Sequence, residues 1–278
     1  MKNIVSGGMV LLIALVSGGH IAGEGEAGKD VAQLVRWFGK EYADKPYDLT
    51  LRVRVGTFES EMTRQQAFIA ELEQIKNDDA YSRDLALLAG LFETDKVLKP
   101  LTARLRTADS QLRFSILLSI LTHRTRWVVD KDTLLSLLKD GDERVRRLVL
   151  MVAVKALGKS GAEIYAQALA DRSESIRREA IANARLTGSR IEKAVKNRIR
   201  ALLAGDDRAV LASDWHVAPP DVMFLLKYLE ETYLLGEQGI PEKRVVPFSE
   251  YAKRLLDATE RIDMAVEETA REYGGGLK

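Results

Sequence analysis

The sequence predicts an all-α protein, a right-handed α-α superhelix of about five stacked helix pairs, with a short extended N-terminal segment and C-terminal capping helices. Two observations lead to this fold class. The composition is globular and suits helices, with 46% hydrophobic residues, 30% charged residues and only 6 prolines among 278 residues. In addition, a helix-start pattern recurs at nearly constant intervals, and such an internal period indicates a helical repeat protein.

The recurring pattern is a helix N-cap residue followed four positions later by arginine. The copies are Asp79/Arg83, Asp109/Arg113, Asp142/Arg146 and Ser173/Arg177. The intervals between successive caps are therefore 30, 33 and 31 residues. A fifth, weaker copy has Asp206 in the cap position and Val210 where arginine is expected. An Asp or Ser cap accepts hydrogen bonds from unpaired N–H groups of the first turn, so each copy predicts a helix start.

Each copy combines this cap with an amphipathic helix. After Asp142, the residues Val145, Leu148, Val149 and Val152 follow helical spacing and form one apolar stripe. A second apolar helix precedes each cap, as in "DTLLSLLKDG" before Asp142. Two helices of this size cannot bury their apolar faces alone, so neighbouring pairs must stack.

Residues 134–158 and 165–186 resemble the HEAT-like (armadillo-type) repeat family, and the resemblance covers roughly residues 60–213. In that family an aspartate in the turn and an arginine early in the second helix form a ladder along the stack. Asp140 with Arg146 and Asp171 with Arg177 match this spacing. The resemblance implies a solenoid, and it does not specify a function because this architecture has many unrelated partners.

The chain divides into four predicted regions. Residues 1–23 form a signal peptide, and residues 24–58 form an amphipathic helix and an alternating, extended segment near 45–55. The extended segment either packs on the first repeat or adds to the sheet edge of a partner. Residues 59–214 contain the repeats, and residues 215–278 form a helical cap.

The N-terminal pattern predicts export. Lys2 precedes an uncharged apolar stretch, Ile4 to Val16, and small residues follow. The alternative is an uncleaved N-terminal membrane anchor, because the uncharged run continues to Gly23. The chain has no cysteine, so the exported protein is held together by core packing without disulfides.

The sequence predicts no enzyme, no catalytic residue, no cofactor and no metal site. His123 and His216 are separated by 93 residues and lack metal-ligand spacing. No glycine-rich phosphate loop occurs outside the signal region. Nucleic acid is not an expected partner: without residues 1–23, which contain one lysine and no acid, the 42 basic and 41 acidic residues become equal in number.

Candidate protein-binding residues lie on the second helices and in two connections. The arginines expected on the concave face are Arg144, Arg147, Arg178 and Arg185. The alternative is that these arginines pair locally with acids such as Glu143, Glu174 and Glu179. Trp127, Trp215 and His216 lie in the connections, where they are either interface anchors or plugs between repeats.

Residues 190–200, "RIEKAVKNRIR", form the most basic stretch and are also amphipathic. This stretch contacts an anionic membrane surface or an acidic partner, or else it is a solvated repeat helix. The favoured hypothesis is an exported, non-catalytic scaffold that binds another protein through its concave face or its inter-repeat loops. The alternative is a HEAT-like lyase or a solenoid that binds a small ligand.

Overall fold

A computed structural model describes residues 27–41, 55–56, 58, 62–75, 79–123, 129–205, 220–235 and 246–274. These residues form helices and turns, and no strand occurs among them. The all-α prediction is therefore confirmed. Of the segment predicted to be extended near 45–55, only Val55 is described; it is helical and buried, so the prediction is wrong at that residue.

Twelve α-helices are described. In chain order they are α1 (Ala27–Glu41), α2 (Met62–Gln74), α3 (Ala80–Ala89), α4 (Leu98–Arg104), α5 (Ser110–Thr122), α6 (Lys131–Leu137), α7 (Glu143–Ala156), α8 (Ala162–Ala168), α9 (Glu174–Thr187), α10 (Glu192–Ala204), α11 (Pro220–Thr232) and α12 (Phe248–Gly274).

Consecutive helices contact each other in pairs: α2 with α3, α4 with α5, α6 with α7, α8 with α9, and α10 with α11. The second helices form a row of neighbours in which α3 contacts α5, α5 contacts α7, α7 contacts α9, and α9 contacts α11, and α1 adjoins this row through its contact with α3. Helix α11 is therefore the second helix of the fifth pair. The cap pattern predicts that this helix begins directly after Asp206. Residues 206–219 lie outside the described part of the chain, and α12 packs on α10 and α11.

Three of the predicted caps make the expected hydrogen bonds. Asp79 accepts from the N–H of Ser82, Asp109 from the N–H groups of Gln111 and Leu112, and Asp142 from the N–H of Arg144. Ser173 has an extended backbone at the start of α9, but its side chain makes no capping hydrogen bond. Instead, its own N–H donates to Asp171 Oδ1 at 2.7 Å, so the turn aspartate organises this helix start.

The core is one continuous set of buried apolar side chains that runs from α1 to α12. At its N-terminal end, the rings of Phe68 and Phe92 stack with centroids 4.1 Å apart. Gly90, at the end of α3, allows close approach to α5, because a Cβ there would lie 2.7 Å from the carbonyl oxygen of Ser119. Burial of this set is the main stabilising contribution to a chain without disulfides.

Candidate functional site

The recurring arginines lie between neighbouring turns. We call each helix pair, with the turn that joins its two helices, a unit. Arg146 Nε and Nη2 donate to Asp171 Oδ2 and Oδ1 at 2.7 and 3.0 Å, forming a bidentate pair with the turn of the next unit. Arg146 Nη1 donates to the carbonyl oxygens of Asp140 and Gly141, at 2.9 and 3.3 Å, in its own unit. The side chains of Arg146 and Asp171 are only 3% and 6% exposed. The hydrogen bonds that Arg146 donates to Asp171 raise the pKa of Arg146, which stays charged.

The preceding unit repeats this geometry. Arg113 Nη1 donates to Asp140 Oδ2 at 2.7 Å, and its other nitrogens donate to the carbonyl oxygens of Leu105 and Arg106. Asp140 also accepts from the Ser110 hydroxyl at 2.7 Å and from the N–H of Asp142 at 2.9 Å. Burial acts to raise the pKa of Asp140, but these hydrogen bonds and the Arg113 charge outweigh it and hold the pKa below its usual value.

The structure brings the four predicted ladder residues together with a different pairing. The sequence paired Asp140 with Arg146 and Asp171 with Arg177, and it predicted that Arg146 is largely buried and also binds a turn in the adjoining repeat. Each of these arginines does bind its own turn aspartate, but through the carbonyl oxygen, at 2.9 Å for Arg146 and 2.8 Å for Arg177. The carboxylate of each turn aspartate instead accepts from the arginine one unit earlier, so the ladder joins units to one another.

Away from the ladder arginines, two of the second helices, α5 and α7, carry partly exposed apolar residues. Phe114, Leu118 and Leu121 on α5 follow the cap Asp109 by five, nine and twelve positions. At the last two of these positions, α7 has Met151, which is 43% exposed, and Val154. We call these five residues the α5–α7 patch. The equivalent positions of α9 hold Ala182 and Arg185, so large apolar side chains at these positions do not continue from α7 to α9.

Of the four candidate arginines, Arg144 contacts this patch, and each of the four has an acidic partner. For Arg144, Arg147 and Arg178 the partner is local in the chain, as the alternative prediction stated, whereas the partner of Arg185 comes from α11. Arg144 pairs with Asp142 and lies over the Phe114 ring at 5.1 Å, and Arg178 lies over the Phe224 ring at 4.8 Å and near Glu174. Arg147 bonds to Glu143 and Ser175, and Arg185 pairs with Glu231. An arginine stacked on a ring still presents N–H groups at its edge, so pairing does not prevent contact with a partner.

One acidic residue on this face was not predicted as a site residue. Glu179 Oε2 lies 3.5 Å from Arg147 Nε, and burial raises the pKa of Glu179 although Arg147 acts to lower it. Its position six residues after Ser173 does not by itself distinguish it from other surface acids. Among the described residues, no group of three or more His, Cys, Asp or Glu side chains is placed to hold a metal ion.

The histidine and tryptophan candidates are only partly covered by the structure. Trp127, Trp215 and His216 lie outside the described residues. His123 is buried at the end of α5, where its Nε2 lies 3.2 Å from the carbonyl oxygen of Thr94. Lys155 of α7 donates to the carbonyl oxygens of Ile120 and Leu121 at this helix end, and burial lowers the pKa of Lys155. These contacts give His123 and Lys155 structural roles.

The basic stretch 190–200 forms most of α10 and packs against α12. Lys196 is buried; its Nζ lies 2.5 Å from Asp263 Oδ2 and 4.5 Å from the centre of the Tyr233 ring. The hydroxyl of Tyr233 donates to Asp263 Oδ1 at 2.8 Å. Arg200 pairs with Glu260. Part of the basic stretch is therefore neutralised by α12, which the sequence alone did not indicate.

The chain matches no protein-family model and no curated protein. Within the described ranges, none of the helices combines the length and the apolar composition that crossing a bilayer requires.

Proposed function

We propose that this chain is a HEAT-like repeat protein whose helix pairs form a right-handed superhelix, and that it is a non-catalytic scaffold that binds another protein. Three features support the superhelix. The N-cap pattern recurs every 30 to 33 residues, consecutive second helices contact one another, and the arginine ladder joins one unit to the next. Stacking of this kind buries a continuous core and leaves one side of the second helices available for binding.

The α5–α7 patch is the observation that carries the binding proposal. Four of its side chains are partly buried against the core and Met151 is 43% exposed, on two helices that contact each other, and Arg144 stacks on the Phe114 ring. Apolar side chains rimmed by arginine and aromatic residues are typical of protein–protein interfaces. The ladder arginines are excluded from this role because their guanidinium groups are occupied between units.

A photo-crosslinking residue tests the patch in living cells. Placed at Met151, it is expected to capture a discrete partner, whereas at Gln167, an exposed position of α8 in the other helix row, it is not. Met151→Glu should weaken binding of the captured protein by at least about tenfold, since a charge is buried in the contact.

Equal capture at Met151 and Gln167 would contradict the proposal, as would binding that Met151→Glu leaves unchanged. A large thermal shift with a metal or small cofactor would favour a ligand-binding solenoid instead.

We also propose export, on the pattern of Lys2 followed by the apolar stretch Ile4 to Val16. Intact-mass measurement on protein purified from its native host is expected to show loss of residues 1 to about 23. A mass that includes Lys2 would rule out cleavage.

A further inference from the structure

Helix α12 extends beyond the part of the fold that buries it. Leu255 and Thr259 are fully buried, and the same stripe continues with Ile262 and Val266, of which Val266 is 63% exposed. From Glu260 to the end of the helix is roughly 22 Å at 1.5 Å per residue. Most helical stability in proteins comes from packing of an apolar face, so burial of this exposed stripe would stabilise the extension.

A cleft of about 760 Å³ lies between this extension and α10. Its lining includes Tyr233, Leu234 and Val266 as well as charged residues of both helices. Leu234, which follows α11, is 89% exposed, so this apolar side chain of the lining faces water. An apolar surface bordered by charged helices is the usual form of a groove that accepts an amphipathic helix.

The backbone of Leu234 adds a second reason to regard the cleft as functional. Its φ of 52° makes it the one non-glycine residue with positive φ in the described part of the chain. The N–H of Leu234 bonds to Glu231 O and that of Leu235 to Glu230 O, so Leu234 occupies the position where helices normally end with glycine. A leucine at positive φ lowers stability relative to glycine, and because the Leu234 side chain is exposed, no burial within the single chain offsets this cost.

The charges on and beside α10 are complementary to those of the α12 extension, and only some of these charged residues form ion pairs within one molecule. Arg200 and Lys196 of α10 pair with Glu260 and Asp263 at the base of the α12 extension. As far as the described residues show, neither Arg190 nor Lys193 has an ion-pair partner. The extension itself is acidic. Its charged residues after Asp263 are Glu267, Glu268, Arg271 and Glu272.

We propose that two copies of this chain pair at this end, with the α12 extension of each copy lying in the cleft of the other. The exposed apolar stripe around Val266 would cover Leu234, and the glutamates of the extension would meet Arg190 and Lys193. Because the extension and the cleft adjoin each other, one two-fold axis satisfies both contacts, as in an isologous dimer. An anionic membrane is a poorer occupant of the site, since it would repel the acidic extension.

Light scattering after size-exclusion chromatography tests the pairing on the purified chain. Wild-type protein is expected to be dimeric, whereas Leu234→Gly and Val266→Glu should weaken dimerisation at least about tenfold. At a concentration where both proteins are monomeric, Leu234→Gly should keep or raise the melting temperature, because glycine suits the positive φ. Met62→Glu, at an exposed methionine of α2, is the matched control and should remain dimeric.

A charge exchange makes the test specific for the proposed contact. Arg190→Glu/Lys193→Glu and Glu268→Lys/Glu272→Lys should each prevent dimers of the variant alone, because like charges meet. Mixed together, the two variants should form a heterodimer, because both contacts are then complementary. A monomeric wild-type protein at every concentration would overturn the proposal, and so would variants that dimerise as the wild type does or fail to pair when mixed.

Discussion

Replacement of Arg146 with alanine is expected to lower the free energy of unfolding by about 3 to 5 kcal/mol. The change removes the partner of the Asp171 carboxylate, which is only 6% exposed, and the donor to the carbonyl oxygens of Asp140 and Gly141. A buried charge without its partner costs more than an exposed ion pair contributes. Urea denaturation of wild type and variant measures the difference.

Arg147→Ala is the matched control because Arg147 is the next residue on α7 and is 46% exposed. Its partners are Glu143, Ser175 and Glu179, and its own side chain remains about half exposed to water, so its loss should cost less than about 1 kcal/mol. Equal losses for the two variants would contradict the structural role of the recurring arginine. The arginine of each unit would then become the first candidate for partner binding.

The helix starts and the recurrence of Arg146 were predictable because both depend on local sequence. Capping by Asp79, Asp109 and Asp142 involves residues two or three positions apart, and such spacing can be read directly. The ladder pairing was not predictable in the same way. Spacing identifies Asp140 and Arg146 as neighbours in the chain, whereas the Arg146–Asp171 pair depends on how one unit packs on the next.

The exposed and charged surface residues were likewise only partly predictable, because their surroundings depend on how the helices pack. Helical periodicity identified the apolar stripes, but the exposure of Met151 depends on which side chains the neighbouring helix covers. Likewise, the basic stretch at 190–200 is visible in the sequence, whereas the acids that neutralise Lys196 and Arg200 come from α12, 67 and 60 residues later. Leu234 gave no signal because leucine has no preference for positive φ.

These observations separate two kinds of arginine on the second helices. Those four positions after a cap, such as Arg113 and Arg146, connect units and are held by the fold. Those at the surface, such as Arg144 and Arg178, lie over aromatic rings of neighbouring helices and vary from unit to unit. A residue that binds one partner need not recur in every unit, so the second kind is the better guide to the binding face.

Asp140→Asn is expected to lower the free energy of unfolding at neutral pH by about 1.5 to 3 kcal/mol, the range for hydrogen bonds to charged groups. The side chain of Asp140 is fully buried and accepts from Ser110, Arg113 and the N–H of Asp142. Asparagine retains one acceptor oxygen, but it presents an amide donor and no charge to Arg113. The difference is measured by urea denaturation of both proteins.

The pH dependence of this difference identifies the ionised carboxylate as its cause. Hydrogen bonds hold the folded-state pKa of Asp140 below its usual value, despite burial, while an unfolded aspartate has a pKa of about 3.9. The stabilisation is therefore fully present above about pH 4 and is lost as the pH falls through the folded-state pKa. The gap between wild type and Asp140→Asn should be constant near neutrality and should narrow in acid. Asp132→Asn, at an exposed carboxyl of α6, is the control and should leave the free energy of unfolding close to that of the wild type. If the difference in unfolding free energy for Asp140→Asn persists unchanged in acid, packing and not charge makes Asp140 important.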